Sequence, residues 1–158
     1  MTDQDPSNEL TKFVLATIDR AHSHVKDTSG PVIPFALIVD QSGDEKTLLF
    51  AVDTLQQAVK EAQTTIDRIS RVQAGMNSSK SIVMYAIAFD GGIAMEGKNW
   101  NAILIEAGEA GLPQGFLFCQ CYQPFKKKFF GGKAHCELVG KPMIVDRPPS
   151  RLWVESAV

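Results

Sequence analysis

Two short runs in the chain carry apolar side chains at consecutive positions. In residues 35–39, Phe35, Leu37 and Val39 alternate with Ala36 and Ile38; in residues 82–89, Val83, Tyr85, Ile87 and Phe89 alternate with Ile82 and Met84. Successive side chains of a strand point to opposite faces of a sheet, so strands of this kind must be shielded from water on both sides. A sheet with one solvated face is thereby excluded, and a layered fold is required.

Two amphipathic helices are available as cover. Leu10, Phe13, Val14, Ile18, Ala21 and Val25 recur at intervals of three and four behind Ser7 and Asn8, either of which can cap a helix, and Gly30-Pro31 ends the pattern. Asp53 is the expected cap of a second helix with Leu55, Ala58, Val59, Ala62, Ile66, Ile69 and Val72 as its stripe, ended by Gly75. Strands are expected at residues 35–39, 47–52, 82–89, 93–96, 102–107, 116–123 and 134–139. The turns fall at residues 40–45, at Asp90-Gly91-Gly92, at Gly97-Lys98-Asn99 and at Gly131-Gly132. Pro34 has no N–H for a ladder, so the first strand either starts after it or lies at an edge.

The order helix, two strands, helix and a run of strands predicts an α+β domain. Two amphipathic helices pack on one face of a mostly antiparallel, meander-rich sheet of about six to seven strands. The expected organisation is a disordered N-terminal tail at residues 1–7 and one domain over residues 8–158, a length that buries a full core without metal or disulfide support. With both helices on one face, the other needs sheet curvature, the C-terminal tail around Leu152 and Trp153, or a second copy of the chain. A homodimer is the expected assembly.

Composition narrows the class further. Hydrophobic residues are 44% and charged residues 22% of the chain, as in ordinary globular domains. The first residues lack the basic and apolar segments of a secretory signal, no stretch has the length of a membrane span, and the three cysteines suit a reducing compartment; a cytoplasmic protein is expected. The net charge of −2 conceals an asymmetry: from Cys121 onward there are seven Lys and Arg against three Asp and Glu. An anionic partner would meet that basic part.

Four groups of residues are candidates for chemistry. The run Lys126-Lys127-Lys128-Phe129-Phe130-Gly131-Gly132-Lys133 reads as a basic, aromatic hairpin tip. Lys126, Lys127, Lys128, Phe130 and Lys133 are the candidate binding residues for an anionic ligand, nucleic acid included, although lysines also protect edge strands from mispairing. Asp90 and Glu106 are the candidate carboxylates of a hydrolase or nuclease-like site, with Lys98 or Lys133 stabilising negative charge. Cys119, Cys121 and His135 are the only approach to a metal cluster. Cysteines two apart on a strand are about 6.6 Å apart, however, and lack the knuckle spacing of zinc ligands, which fits two small core residues better. His22 and His24 belong to the first helix and are expected at the surface.

No Gly-x-Gly-x-x-Gly, P-loop, Gly-x-Ser-x-Gly or His-Glu-x-x-His pattern occurs, and no cofactor is expected. The expected function is a non-enzymatic protein- or ligand-binding module acting as a homodimer. The alternatives are the Asp90/Glu106 enzyme and nucleic-acid binding by the basic hairpin.

Overall fold

A computed structural model describes residues 4–28, 31–50, 52–73, 81–126 and 135–152. Its elements are α1 (Asn8–Thr28), β1 (Phe35–Asp40), β2 (Glu45–Leu49), α2 (Leu55–Gln73), β3 (Ile82–Met95), β4 (Lys98–Glu109), β5 (Phe116–Lys126) and β6 (His135–Asp146). The six strands form one sheet in the order β2-β1-β3-β4-β5-β6, with every neighbouring pair antiparallel. This is an α+β fold in which β3 to β6 form a meander. The β1-β2 hairpin is joined to the meander through α2, which returns the chain to pair β3 with β1.

The two helices lie on opposite faces of the sheet, which corrects the expectation of a shared face. The core under α1 takes Phe35 and Leu37 from β1, Ala86 and Ala88 from β3, Ile103, Ile105 and Ala107 from β4, and Phe116 and Phe118 from β5. The core under α2 takes the alternate residues Ala36 from β1 and Tyr85 and Ile87 from β3. The two-sided apolar strands therefore receive a helix on each side. Pro34 precedes β1, which is an interior strand, so the proline costs the ladder nothing.

The six expected stripe residues of α1 are all buried, and Ser7 caps the helix by accepting a hydrogen bond from Leu10 N–H at 3.1 Å. The Ser7 hydroxyl also donates to Glu109 Oε2 at 2.7 Å, which ties the helix start to the end of β4. In α2 the buried ridge is narrower than expected: Ala58, Ala62, Ile66 and Ser70 are covered, whereas Leu55 and Val72 are exposed. A single row at four-residue spacing suffices because α2 rests on two strands rather than across the sheet. Thr54, not Asp53, is its cap, accepting from Gln57 N–H at 3.1 Å.

The expected turn at Asp90-Gly91-Gly92 does not form, and β3 runs unbroken to Met95. The chain reverses instead at Glu96 and Gly97, whose positive φ angles of 52° and 73° make a two-residue hairpin closing on the Met95–Lys98 pair. Gly91 has a packing role: a Cβ there would lie 2.4 Å from Leu104 Cδ1, so the missing side chain admits the leucine of the neighbouring strand. The Gly131-Gly132 turn lies outside the described residues.

Candidate functional site

Asp90 and Glu106 occupy opposite faces of the sheet and do not form a site together. Asp90 pairs with Ile103 and points to the side of α1; Glu106 pairs with Ile87 and points to the side of α2. Each is held by its own partners. Asp90 Oδ2 accepts from the Tyr122 hydroxyl at 2.5 Å and from Val32 N–H at 3.0 Å, which fastens the chain entering β1 to the sheet. Lys98, the proposed charge stabiliser, lies over the Trp100 ring at 4.8 Å at the far end of β4. The carboxylate-pair reading fails because a separation of sixteen residues in sequence gives no control over strand parity.

Glu106 belongs to a polar junction that no local sequence signal announces. Its side chain is 8% exposed and accepts from Gln63 Nε2 of α2 at 2.9 Å, from Arg151 Nε, and from Arg151 Nη2 at 3.3 Å. Arg151 also donates through Nη1 to both oxygens of Asp67 at 2.9 and 3.1 Å. Burial alone disfavours the charged guanidinium, but the Glu106 and Asp67 carboxylates outweigh it and raise its pKa. The backbone N–H of Arg151 donates to the Tyr85 hydroxyl at 3.1 Å. Burial, with Glu106 nearby, pushes the Tyr85 phenol up to about 12, so it stays neutral at any ordinary pH. The tail is further held where Gly115 N–H donates to Pro148 O at 2.7 Å and Ser150 N–H donates to Pro113 O at 2.9 Å. One arginine from the end of the described chain therefore joins α2 to β4. All three nitrogens of its fork donate to the Glu106 and Asp67 carboxylates, so the junction acts as a clamp between α2 and β4.

Cys119 and Cys121 are free, buried and on the same side of the sheet as α2, within a smaller apolar cluster that includes Ala102, Trp100 and Leu104. Burial, then the neighbouring Cys121, pushes the Cys119 thiol up to about 11, the opposite of a reactive or metal-ligating thiolate. His135 is paired through its backbone with Lys126, five positions along β5 from Cys121. Among the described residues no group of three or more His, Cys, Asp or Glu is placed to hold a metal ion. Native protein carrying Cys136→Ser is expected to react with a thiol reagent at pH 8 at least tenfold more slowly than the urea-unfolded chain, because only the unfolded chain exposes a thiol of ordinary pKa. Rapid native labelling of Cys119, read by peptide mass spectrometry, would contradict this placement.

Of the basic hairpin, Lys126 ends β5, while Lys127, Lys128, Phe129, Phe130 and Lys133 lie outside the described residues. Among the described residues no helix is long and apolar enough to cross a membrane.

A surface not indicated by any motif is the part of the sheet beyond α2. On that side, Ile93 and Met95 of β3, Trp100 and Leu104 of β4 and Val139 of β6 pack around the cysteine cluster while remaining partly exposed. Met143, opposite Cys119 in register, is 38% exposed. Alternation of apolar residues marked each strand in the sequence, but only the sheet order brings these positions side by side.

No protein-family model, curated protein or solved structure matches the chain.

Proposed function

We propose that the chain is a non-enzymatic interaction module that acts as a homodimer, using the β4–β6 part of the sheet on the side of α2 as its contact. The observation that carries this reading is the apolar surface of Met95, Trp100, Leu104, Val139 and Met143 next to a helix whose apolar core draws on β1 and β3. Among the described residues no helix lies over it. Partly exposed aromatic and thioether side chains grouped on one sheet face are typical of association surfaces. The carboxylates considered for catalysis are committed to internal partners, which supports binding rather than chemistry.

The test is a pair of lysine substitutions at exposed apolar positions on opposite faces. Met143→Lys is expected to halve the solution mass from twice 17.3 kDa, whereas Leu15→Lys on the outside of α1 leaves it unchanged. A dimer indifferent to Met143→Lys would mean that this surface is not the contact.

A further inference from the structure

On the other face and at the opposite edge of the sheet lies a cavity of about 490 Å³ between α1 and the β1-β2 hairpin. Its floor is Phe35, and its rim is formed by Ile33 and Leu49, with Thr47 as one hydroxyl; Phe50 closes it at one point, while its side chain packs against the core on the α2 face. Phe35 pairs with Leu49, and Leu37 with Thr47, so these side chains share the side of the sheet that α1 covers. The lining includes two bases, Arg20 and His24, both from α1, and no acid. His24, expected at the surface, is half-buried here.

The exposure of the rim is unusual for its chemistry. Leu49 is 77% exposed and Ile33 is 52% exposed, although an apolar hollow lies beside them. Aliphatic side chains standing open around a concave, apolar floor present a surface that gains by covering. The volume is that of a small-molecule site, and a mostly apolar lining with a few polar groups at one end is the usual composition of such sites. Among the described residues Arg20 enters no ion pair, and it is exposed. An exposed arginine on the helix wall of an apolar hollow selects a planar anion that it can meet with two parallel hydrogen bonds.

We infer that this cavity binds an amphipathic carboxylate, with a hydrocarbon body against Phe35, Ile33 and Leu49 and the carboxylate toward Arg20 and His24. Basic groups at one wall and apolar groups elsewhere disfavour cations and polar sugars alike. The site is separate from the proposed dimer contact, so either can fail without the other.

Calorimetric titration of the full chain with octanoate and with octan-1-ol tests the assignment. Octanoate is expected to bind saturably with a negative heat-capacity change, because apolar surface is buried. Arg20→Gln is expected to weaken octanoate about tenfold or more, the worth of charge-assisted hydrogen bonding to the guanidinium, and to leave octan-1-ol unchanged. Leu49→Ser should weaken both ligands. Both positions are exposed, so both variants are expected to fold. Absence of saturable octanoate binding, or an equal response of acid and alcohol to Arg20→Gln, would overturn the inference.

Discussion

Arg151→Met is expected to destabilise the protein by about 3 kcal/mol, because removing one member of a buried ion pair leaves the other charged and without its counterion. Glu106 would keep only the Gln63 amide, in a position 6% exposed, and Asp67 would lose both of its contacts to the guanidinium. With an m-value of about 2 kcal/mol/M for a chain of this size, the urea midpoint should fall by about 1.5 M. Adding Glu106→Gln to Arg151→Met removes the stranded charge and is expected to restore at least half of the loss. That non-additivity distinguishes a charge clamp from simple loss of packing. A single-variant loss below about 1 kcal/mol would mean that the junction is worth no more than a surface ion pair.

Gln120→Glu is expected to be the second most damaging substitution, with a pH dependence that identifies the cause. Cys119 pairs with Met143 and Cys121 with Val139, so residues 140–142 of β6 stand opposite Gln120 alone. Gly140, at φ 71°, lets β6 bulge outward there. The buried Gln120 amide fills the gap, with Nε2 directed at the carbonyls of Val139, Gly140 and Cys121, each at 3.1 Å. A carboxylate in its place would face three carbonyl oxygens and supply no donor. Its protonated form would be favoured, so its folded-state pKa lies above the unfolded value of about 4.3. The variant then loses stability as pH rises through the unfolded value, and the loss stops growing above the folded one. Gln120→Leu, which leaves the carbonyls without a donor but adds no charge, is expected to cost about 1–3 kcal/mol at every pH. Parallel urea titrations of the two variants at pH 4 and pH 7 check this. Equal losses for Gln120→Glu at both pH values would contradict the plug.

These two junctions mark where the sequence stops being informative. Period-based reading locates both helices, since the spacing of Leu10 to Val25 and of Ala58 to Ile66 reflects burial on one side of a cylinder. It also locates the strands, because two-sided apolar runs have few other uses. It does not show which face each helix takes: the choice depends on whether even or odd residues of β1 meet the helix, and both sets are apolar. Asp90-Gly91-Gly92 carries the composition of a turn, yet Leu104 fills the space over Gly91 while Tyr122 and Val32 hold Asp90, all from distant segments. Local turn chemistry is overridden wherever such long-range partners exist. The candidate site was legible to the same degree. Individual strand residues could be read, whereas the Arg151 clamp, the Gln120 plug, the cavity beside Leu49 and the apolar sheet face depend on register and strand order.

The proposed homodimer closes the open part of the sheet with a second copy. Its most direct test is the solution mass of the unsubstituted protein, measured by light scattering over a dilution series down to low micromolar concentration. The expected mass is twice 17.3 kDa, falling toward the single-chain mass only at the lowest concentrations; 17.3 kDa throughout the series would contradict the dimer.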